Sequence, residues 1–258
     1  MHQGTITRRR IVVTLDSAQV EPGDLECLLR LADRLDADLE GVFVEDSDLL
    51  RLADMTFLRE FRPTSQRAES FQSGRMQQEL RVMARRAERA LAEVAERRGV
   101  AVSFRTWRGS IERELLRDIE ADILAVMRLG AIAFQPSRRR APELVSACFD
   151  GSDESARALA MAADLATDND GILLQVIMIP GPDAESDELH EHAASLLAEH
   201  SGNVVYRFLE DNTVGGLLEM LYESGSTALV MQRDNSMLRN TSLRQYLSRL
   251  QCPLFLVR

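Results

Sequence analysis

The chain has 258 residues, of which 45% are hydrophobic, 28% are charged and 5% are aromatic, and its formal net charge is −10. This length allows one large or two small domains, and the negative charge argues against a protein that coats nucleic acid. Apart from histidine, every basic side chain is arginine, which excludes a Schiff-base lysine and the lysine of a phosphate-binding P-loop.

The cysteines and the apolar runs indicate in which cellular compartment the protein is found. Cys27, Cys148 and Cys252 are scattered in apolar contexts, which favours buried free thiols over a disulfide framework. No apolar run approaches the ~20 residues that span a membrane, and the N-terminus lacks the apolar core of a signal peptide. The sequence therefore predicts a cytoplasmic protein that binds neither membrane nor nucleic acid.

The first half of the chain alternates predicted strands with helical patterns. An apolar run over residues 11–15 ends at Asp16, and an amphipathic pattern over about 22–36 leads to the strand DLEGVFVED. A long polar excursion, a helix over 76–98 and a strand over 100–107 follow. A further helix and the apolar strand DILAVM complete this half. Such alternation predicts parallel strands covered by helices.

The second half repeats this plan. Its predicted elements are a strand over 144–149, a helix over 153–167, a strand over 171–179, a helix over 186–200, a strand over 203–210, and a helix–strand unit over 212–231. That last unit corresponds closely to residues 109–127 of the first half, because each has a double leucine and a strand that ends Val-Met.

The two halves end differently. The second half continues through another helix into CPLFLVR, whereas only residues 128–143 separate the first half from the repeat. The sequence therefore predicts one domain over 8–135 that lacks its last αβ unit, and a second over 141–258. We expect residues 128–143 to cover the edge of the strand DILAVM, because sheet edges need protection.

The order of these elements resembles that of universal stress proteins, in a tandem form with two copies per chain. In the second half the resemblance rests on Asp150-Gly151-Ser152, on the strand ALVM and on CPLFLV; in the first it rests on Asp16, on GVFVED and on the unit at 109–127. It implies two open parallel-sheet domains of the adenine-nucleotide-alpha-hydrolase-like type. Many members of the family bind ATP or AMP.

The resemblance also implies where a nucleotide would lie. Adenine and ribose contacts are expected near Asp16 and Asp150, and a phosphate loop with the pattern Gly, two residues, Gly, nine residues, Gly-Ser or Gly-Thr is expected after the fourth strand. In the second half that strand is followed by QRDNSMLRNTSLRQ, which contains no glycine, and in the first half only Gly130 remains. Both loops are therefore degenerate, since glycines are what let backbone N–H groups approach phosphate.

The corner Asp150-Gly151-Ser152 has two interpretations. These residues could contact a ribose, or Gly151 could make the turn and Ser152 cap the next helix. At Asp16 the extra sequence AQVEPG widens the corner and weakens the case for a ligand. Trp107 could stack on adenine or pack on the core, and residues 45–74 could be a lid, a partner-binding segment or an insertion.

Metal binding and catalysis find little support in the sequence. The spacing of His190, His192 and His200 favours a solvated helix face over a metal site. No Ser–His–Asp, Cys–His or paired-carboxylate arrangement indicates catalysis. We therefore expect no catalytic residues, no metal and no cofactor, with ATP or AMP as the alternative cofactor.

These observations favour a stress-associated regulatory or interaction protein that is not an enzyme and does not bind ATP tightly. The alternatives are an ATP or AMP sensor, or weak ATPase, with non-standard phosphate contacts, and a nucleotide hydrolase-like enzyme of the same architecture. The apolar strand CPLFLVR has no evident partner in its own chain. We therefore expect a homodimer through Leu254–Val257, because an antiparallel strand pair is self-complementary, and a further protein partner of unknown identity.

Overall fold

The described strands and helices follow the predicted alternation, whereas the helices predicted before the strand DILAVM and before CPLFLVR fall mostly outside the described residues. The computed structural model describes residues 9–15, 22–46, 59–61, 68–70, 73–109, 120–127, 144–166, 172–181, 186–200, 202–240 and 249–258. The strands are β1 (Arg10–Leu15), β2 (Asp38–Asp46), β3 (Arg59–Phe61), β4 (Ala68–Ser70), β5 (Val102–Gly109), β6 (Ile123–Val126), β7 (Leu144–Phe149), β8 (Leu173–Met178), β9 (Asn203–Phe208), β10 (Ala228–Gln232) and β11 (Leu254–Val257). The helices are α1 (Pro22–Arg34), α2 (Ser73–Arg98), α3 (Asp153–Ala166), α4 (Ser186–Leu196), α5 (Val214–Ser224) and α6 (Ser236–Asn240).

Within the described residues, nine of these strands form one sheet in the order β5-β2-β1-β6-β11-β10-β7-β8-β9. Every neighbouring pair is parallel except β6 and β11. The predicted α/β class, with parallel strands joined through helices, is thus confirmed. The predicted boundary between domains, between residues 135 and 141, lies outside the described residues.

Helices cover both faces of the sheet. Most strands carry apolar side chains on both faces, and these side chains are buried only when helices pack against each face. The larger apolar layer lies under α1, α2, α3 and α4 and includes Ile11 and Val13 of β1. The smaller layer lies under α5 and α6 and includes Val12 of the same strand. Cys148 and Cys252 are buried free thiols, as predicted, whereas the side chain of Cys27 lies outside the described part of the chain.

Strand β11 joins the two halves of the sheet and overturns two expectations. One of its edges pairs with β10 in parallel and the other with β6 in antiparallel, with Phe255 opposite Ala125. The outer edge of β6 is therefore paired with β11 and does not need the cover expected from residues 128–143, which lie outside the described residues. The expectation that the C-terminal strand lacks a partner in its own chain is also wrong, so a homodimer through Leu254–Val257 has no free strand edge on which to form.

The physical reason is that β11 is too apolar to lie at an edge. Its four residues are at most 7% exposed, and an unpaired edge there would leave backbone N–H and C=O groups unsatisfied. The same strand thereby fills the place beside β6 where a fifth strand of the first half would lie. Within residues 45–74, β3 and β4 form a separate antiparallel pair, in which Glu60 lies opposite Glu69.

Candidate functional site

The corner after β7 is a tight turn that requires glycine. Gly151 has φ 85°, in the left-handed region that favours glycine. A Cβ atom at this position would also lie 3.0 Å from Cδ1 of Leu189 in α4. The turn thus delivers the chain from the end of β7 directly to the first residue of α3.

Ser152 caps helix α3, as one of the two interpretations of this corner predicts. Its Oγ accepts a hydrogen bond from the backbone N–H of Ser155 at 3.1 Å, and the Ser155 hydroxyl donates to the Ser152 carbonyl at 2.9 Å. Asp153 and Glu154 place two carboxylates in the first turn, where the helix dipole favours negative charge.

The carboxylate of Asp150 is engaged by its own chain on both oxygens. Oδ1 accepts hydrogen bonds from the backbone N–H of Ser152 at 3.1 Å and from its hydroxyl at 2.6 Å. Oδ2 accepts a 2.6 Å hydrogen bond from Nε2 of Gln232, the last residue of β10. The ends of β7 and β10 are therefore tied together at the carboxyl edge of the sheet, where open parallel sheets bind ligands.

Gln232 is a site residue that the sequence analysis missed. It is 3% exposed, and its Oε1 is buried without a hydrogen-bond partner among the described residues. Because Asp150 can only accept, the amide must present its nitrogen to the carboxylate and its oxygen elsewhere. The one available signal was that the strand ALVMQ ends in a polar side chain after four apolar ones.

The segment after β10 has a structure unlike a glycine-rich phosphate loop. The backbone N–H of Arg233 donates to the Val257 carbonyl of β11 at 2.8 Å. Asn235 is 2% exposed, and its Oδ1 accepts from the backbone N–H of Met237 at 2.9 Å. At least two amides of this turn are therefore engaged within the protein and cannot face a phosphate.

Arg233, the first residue of this turn, carries a positive charge. Burial lowers the pKa of Arg233, the charge of Arg258 lowers it further, and Asp234 acts in the opposite direction. The guanidinium nevertheless remains charged at neutral pH, because arginine stays protonated in proteins. A half-buried positive charge therefore follows directly on Gln232.

The structure places the other described residues singled out from the sequence in apolar or ring contacts. Asp16 lies outside the described residues. Trp107 is partly buried and packs against the smaller apolar layer, which supports the packing interpretation. His190 contacts the Tyr206 ring edge-on, with centroids 4.5 Å apart, whereas His192 makes a separate contact with Phe149 at 5.3 Å.

The described part of the chain offers neither a metal cluster nor a membrane-spanning helix. No group of three or more His, Cys, Asp or Glu side chains is arranged there to hold a metal ion. No helix in the same residues has the length and apolar character to cross a membrane.

A second polar cluster lies in the first half of the sheet. Glu40 of β2 is 8% exposed and is bonded to Arg10 of β1 and Arg105 of β5. Burial alone would raise the pKa of Glu40, but hydrogen bonds and charge from the two arginines outweigh it and hold that pKa below its usual range. This cluster links strands β1, β2 and β5 by hydrogen bonds, and it lies in the other half of the sheet from Asp150.

Comparison with known proteins shows the fold. No protein-family model and no curated protein sequence matches the chain. A universal stress protein from Archaeoglobus fulgidus DSM 4304 matches 96% of this chain and 96% of its own, with a TM-score of 0.52 and 14% sequence identity. A protein from Pseudomonas aeruginosa UCBPP-PA14, named for the same family, covers 97% of this chain and 93% of its own, with a TM-score of 0.49 and 14% identity. On the first of these matches, the chain has the fold of universal stress proteins.

Proposed function

We propose that the chain is a stress-associated regulatory or interaction protein of the universal stress type, composed of two such units, that acts in the cytoplasm. It works through a protein partner, without catalysis and without tight ATP binding. The fold supports the type of protein. The lack of tight nucleotide binding is supported by the state of the Asp150 corner.

The observation that carries the proposal is the engagement of Asp150. The carboxylate expected to meet a nucleoside instead accepts three hydrogen bonds from Ser152 and Gln232. A nucleoside hydroxyl would compete with the Gln232 amide for Oδ2 of this carboxylate, and displacing that amide would leave its nitrogen buried without its present partner. Leaving a buried polar group unsatisfied costs about 1–3 kcal/mol, which counts against affinity.

The phosphate side of the corner supports the same conclusion. A triphosphate needs several free backbone N–H groups that converge on it, and glycines that allow the approach. Here the amide of Arg233 bonds to Val257, the amide of Met237 bonds to Asn235, and no glycine follows β10. Asp234 adds a negative charge beside the turn.

Isothermal titration of the full chain with ATP, ADP and AMP tests the proposal. We expect dissociation constants weaker than ~100 μM, or about −5.5 kcal/mol of binding free energy. The variant Gln232→Ala, which frees one oxygen of Asp150, should not acquire tight ATP binding, because the phosphate contacts are still missing. A low-micromolar dissociation constant for the unaltered protein would overturn the proposal.

The alternative function is an ATP or AMP sensor, or a weak ATPase, with non-standard phosphate contacts. It is favoured by the half-buried guanidinium of Arg233 and by the unpartnered acceptor Oε1 of Gln232. On this alternative the unaltered protein binds nucleotide, and both Asp150→Ala and Arg233→Gln weaken that binding. The matched control is Arg97→Gln on the exposed surface of α2, which should leave it unchanged. Binding that resists both site variants would exclude this corner.

A further inference from the structure

We propose that the outer edge of strand β9 pairs with β9 of a second copy of this chain, so that the sheet continues across a two-fold axis. This surface differs from the C-terminal strand, whose two edges are already occupied. Among the strands that the structure describes, β9 pairs only with β8. It is thus one of the two ends of the nine-stranded sheet, and β5 is the other.

The orientation of the backbone shows which groups are available for pairing. The N–H of Leu209, directly after β9, donates to the Met178 carbonyl of β8 at 2.9 Å. In a parallel pair, successive residues of a strand direct their N–H and C=O groups alternately toward and away from the neighbouring strand. The backbone groups of Val204, Tyr206 and Phe208 therefore point outward, away from β8.

The two ends of the sheet differ in how they are protected. Strand β5 carries Arg105, paired with Glu40, and Arg108, whose guanidinium bonds to Glu45 at 2.9 Å. Charged side chains of this kind discourage strand pairing. Strand β9 has no acidic residue and a single basic one, Arg207.

Strand β9 also exposes apolar side chains. Val205 and Phe208 are each 39% exposed, and Val204 and Tyr206 are partly buried against the larger apolar layer. Pairing with another strand would cover this surface. The edge of β9 thus combines backbone groups that pair with no other described strand, exposed apolar side chains and no charge pair among its described residues.

Strand β9 can pair with itself in antiparallel when a two-fold axis, perpendicular to the sheet, passes midway between Tyr206 of one copy and Tyr206 of the other. Tyr206 then lies opposite Tyr206 of the second copy, and Val204 lies opposite Phe208. Each copy donates hydrogen bonds from the outward N–H groups of Val204, Tyr206 and Phe208, which is the pattern of bonded antiparallel pairs. The apolar pairs all lie on the face covered by α4.

The charges also favour a second copy. With the axis at Tyr206, Arg207 lies opposite Val205 and not opposite another arginine. The formal net charge of −10 makes two copies repel each other at long range, but β9 contributes no carboxylate to that repulsion. An isologous contact of this kind closes after two copies and does not extend into a fibre.

Sedimentation equilibrium of the full chain at micromolar concentrations tests the proposal, with variants at exposed positions of β9. Val205→Lys places a lysine opposite Arg207 of the other copy at two symmetric positions. Like charges directly across a strand pair are unfavourable, so the dimer dissociation constant should rise about tenfold, or about 1.4 kcal/mol. Adding Arg207→Glu converts both repulsions into ion pairs and should restore the dimer.

The controls separate dimerisation from folding. Ser103→Lys, a change at an exposed position of strand β5, should leave the dimer unchanged, and far-UV circular dichroism should show the same folded spectrum for every variant. Only the variant that dissociates the dimer should unfold at a lower temperature, because dimerisation stabilises the folded chain. A protein that remains monomeric at high micromolar concentration overturns the proposal, as does a dimer that Val205→Lys leaves intact. Failure of Arg207→Glu to restore the Val205→Lys variant overturns the register through Tyr206.

Discussion

Replacing Phe255 of β11 with alanine should destabilise both halves of the sheet. Phe255 is fully buried in the larger apolar layer, and its backbone lies opposite Ala125 of β6 and Val230 of β10. Truncating a buried phenylalanine to alanine removes its apolar contacts and leaves a cavity, at a cost of about 3–5 kcal/mol. Because β11 pairs with strands of both halves of the sheet, the substitution should lower the free energy of unfolding of the first half as well as that of the second.

Trp107 provides a specific reporter for this prediction. It is the single tryptophan of the chain, and it lies in β5, at the far end of the first half from β11. With a urea dependence of ~3 kcal/mol per molar, the fluorescence midpoint should fall by about 1–1.7 M. The matched control is Arg258→Ala at the exposed end of the same segment, which should change the midpoint little. A Trp107 transition unchanged by Phe255→Ala, beside an earlier transition in circular dichroism, would refute the sharing of β11.

Three further predictions concern single groups elsewhere in the chain. Glu40→Gln should cost about 1 kcal/mol at pH 7, since its two arginine partners are partly exposed to solvent. Because the pKa of Glu40 is lowered in the folded state, the unaltered protein should lose this advantage as pH falls below about 4.5. Equal pH profiles of urea unfolding for the two proteins would contradict this. Burial, and secondarily the charge of Asp150, raises the pKa of Cys148 to about 12. Its thiol should therefore resist a disulfide reagent at pH 8 until urea is added, and rapid native labelling that Cys148→Ser abolishes would refute this. Gly225 ends α5 with φ 68°, so Gly225→Ala should cost about 1 kcal/mol in thermal unfolding, whereas Gly74→Ala in α2 should cost nothing; equal effects would contradict the role of the left-handed conformation.

Local patterns in the sequence predict much of the fold. The strands 144–149 and 203–208 and the helix from Asp153 are visible because apolar spacing and turn residues are local signals. The cap formed by Ser152 is predictable for the same reason, since it depends on residues three apart. The parallel direction of the strands within each half follows from repeated strand–helix–strand units, whereas the crossings from β5 to β6 and from β9 to β10 do not.

The pairing of β6 with β11 could not be predicted in this way. Phe255 and Ala125 are 130 positions apart in the sequence, and nothing near either residue specifies the other. The bond between Gln232 and Asp150 is likewise formed by strands from different units. Both contacts depend on how the strands assemble, which hydrophobic periodicity does not encode.

The nucleotide content of freshly purified protein tests most directly whether the corner at Asp150 has lost tight ATP binding. The full chain would be prepared without added nucleotide, extracted with acid, and its extract resolved by chromatography with mass detection. Because binding weaker than ~100 μM does not survive purification at micromolar concentrations, we expect only a small fraction of one ATP per chain. A value close to one ATP per chain would contradict the proposal, since neither the hydrogen-bonded Asp150 carboxylate nor the engaged amides after β10 would then prevent tight binding.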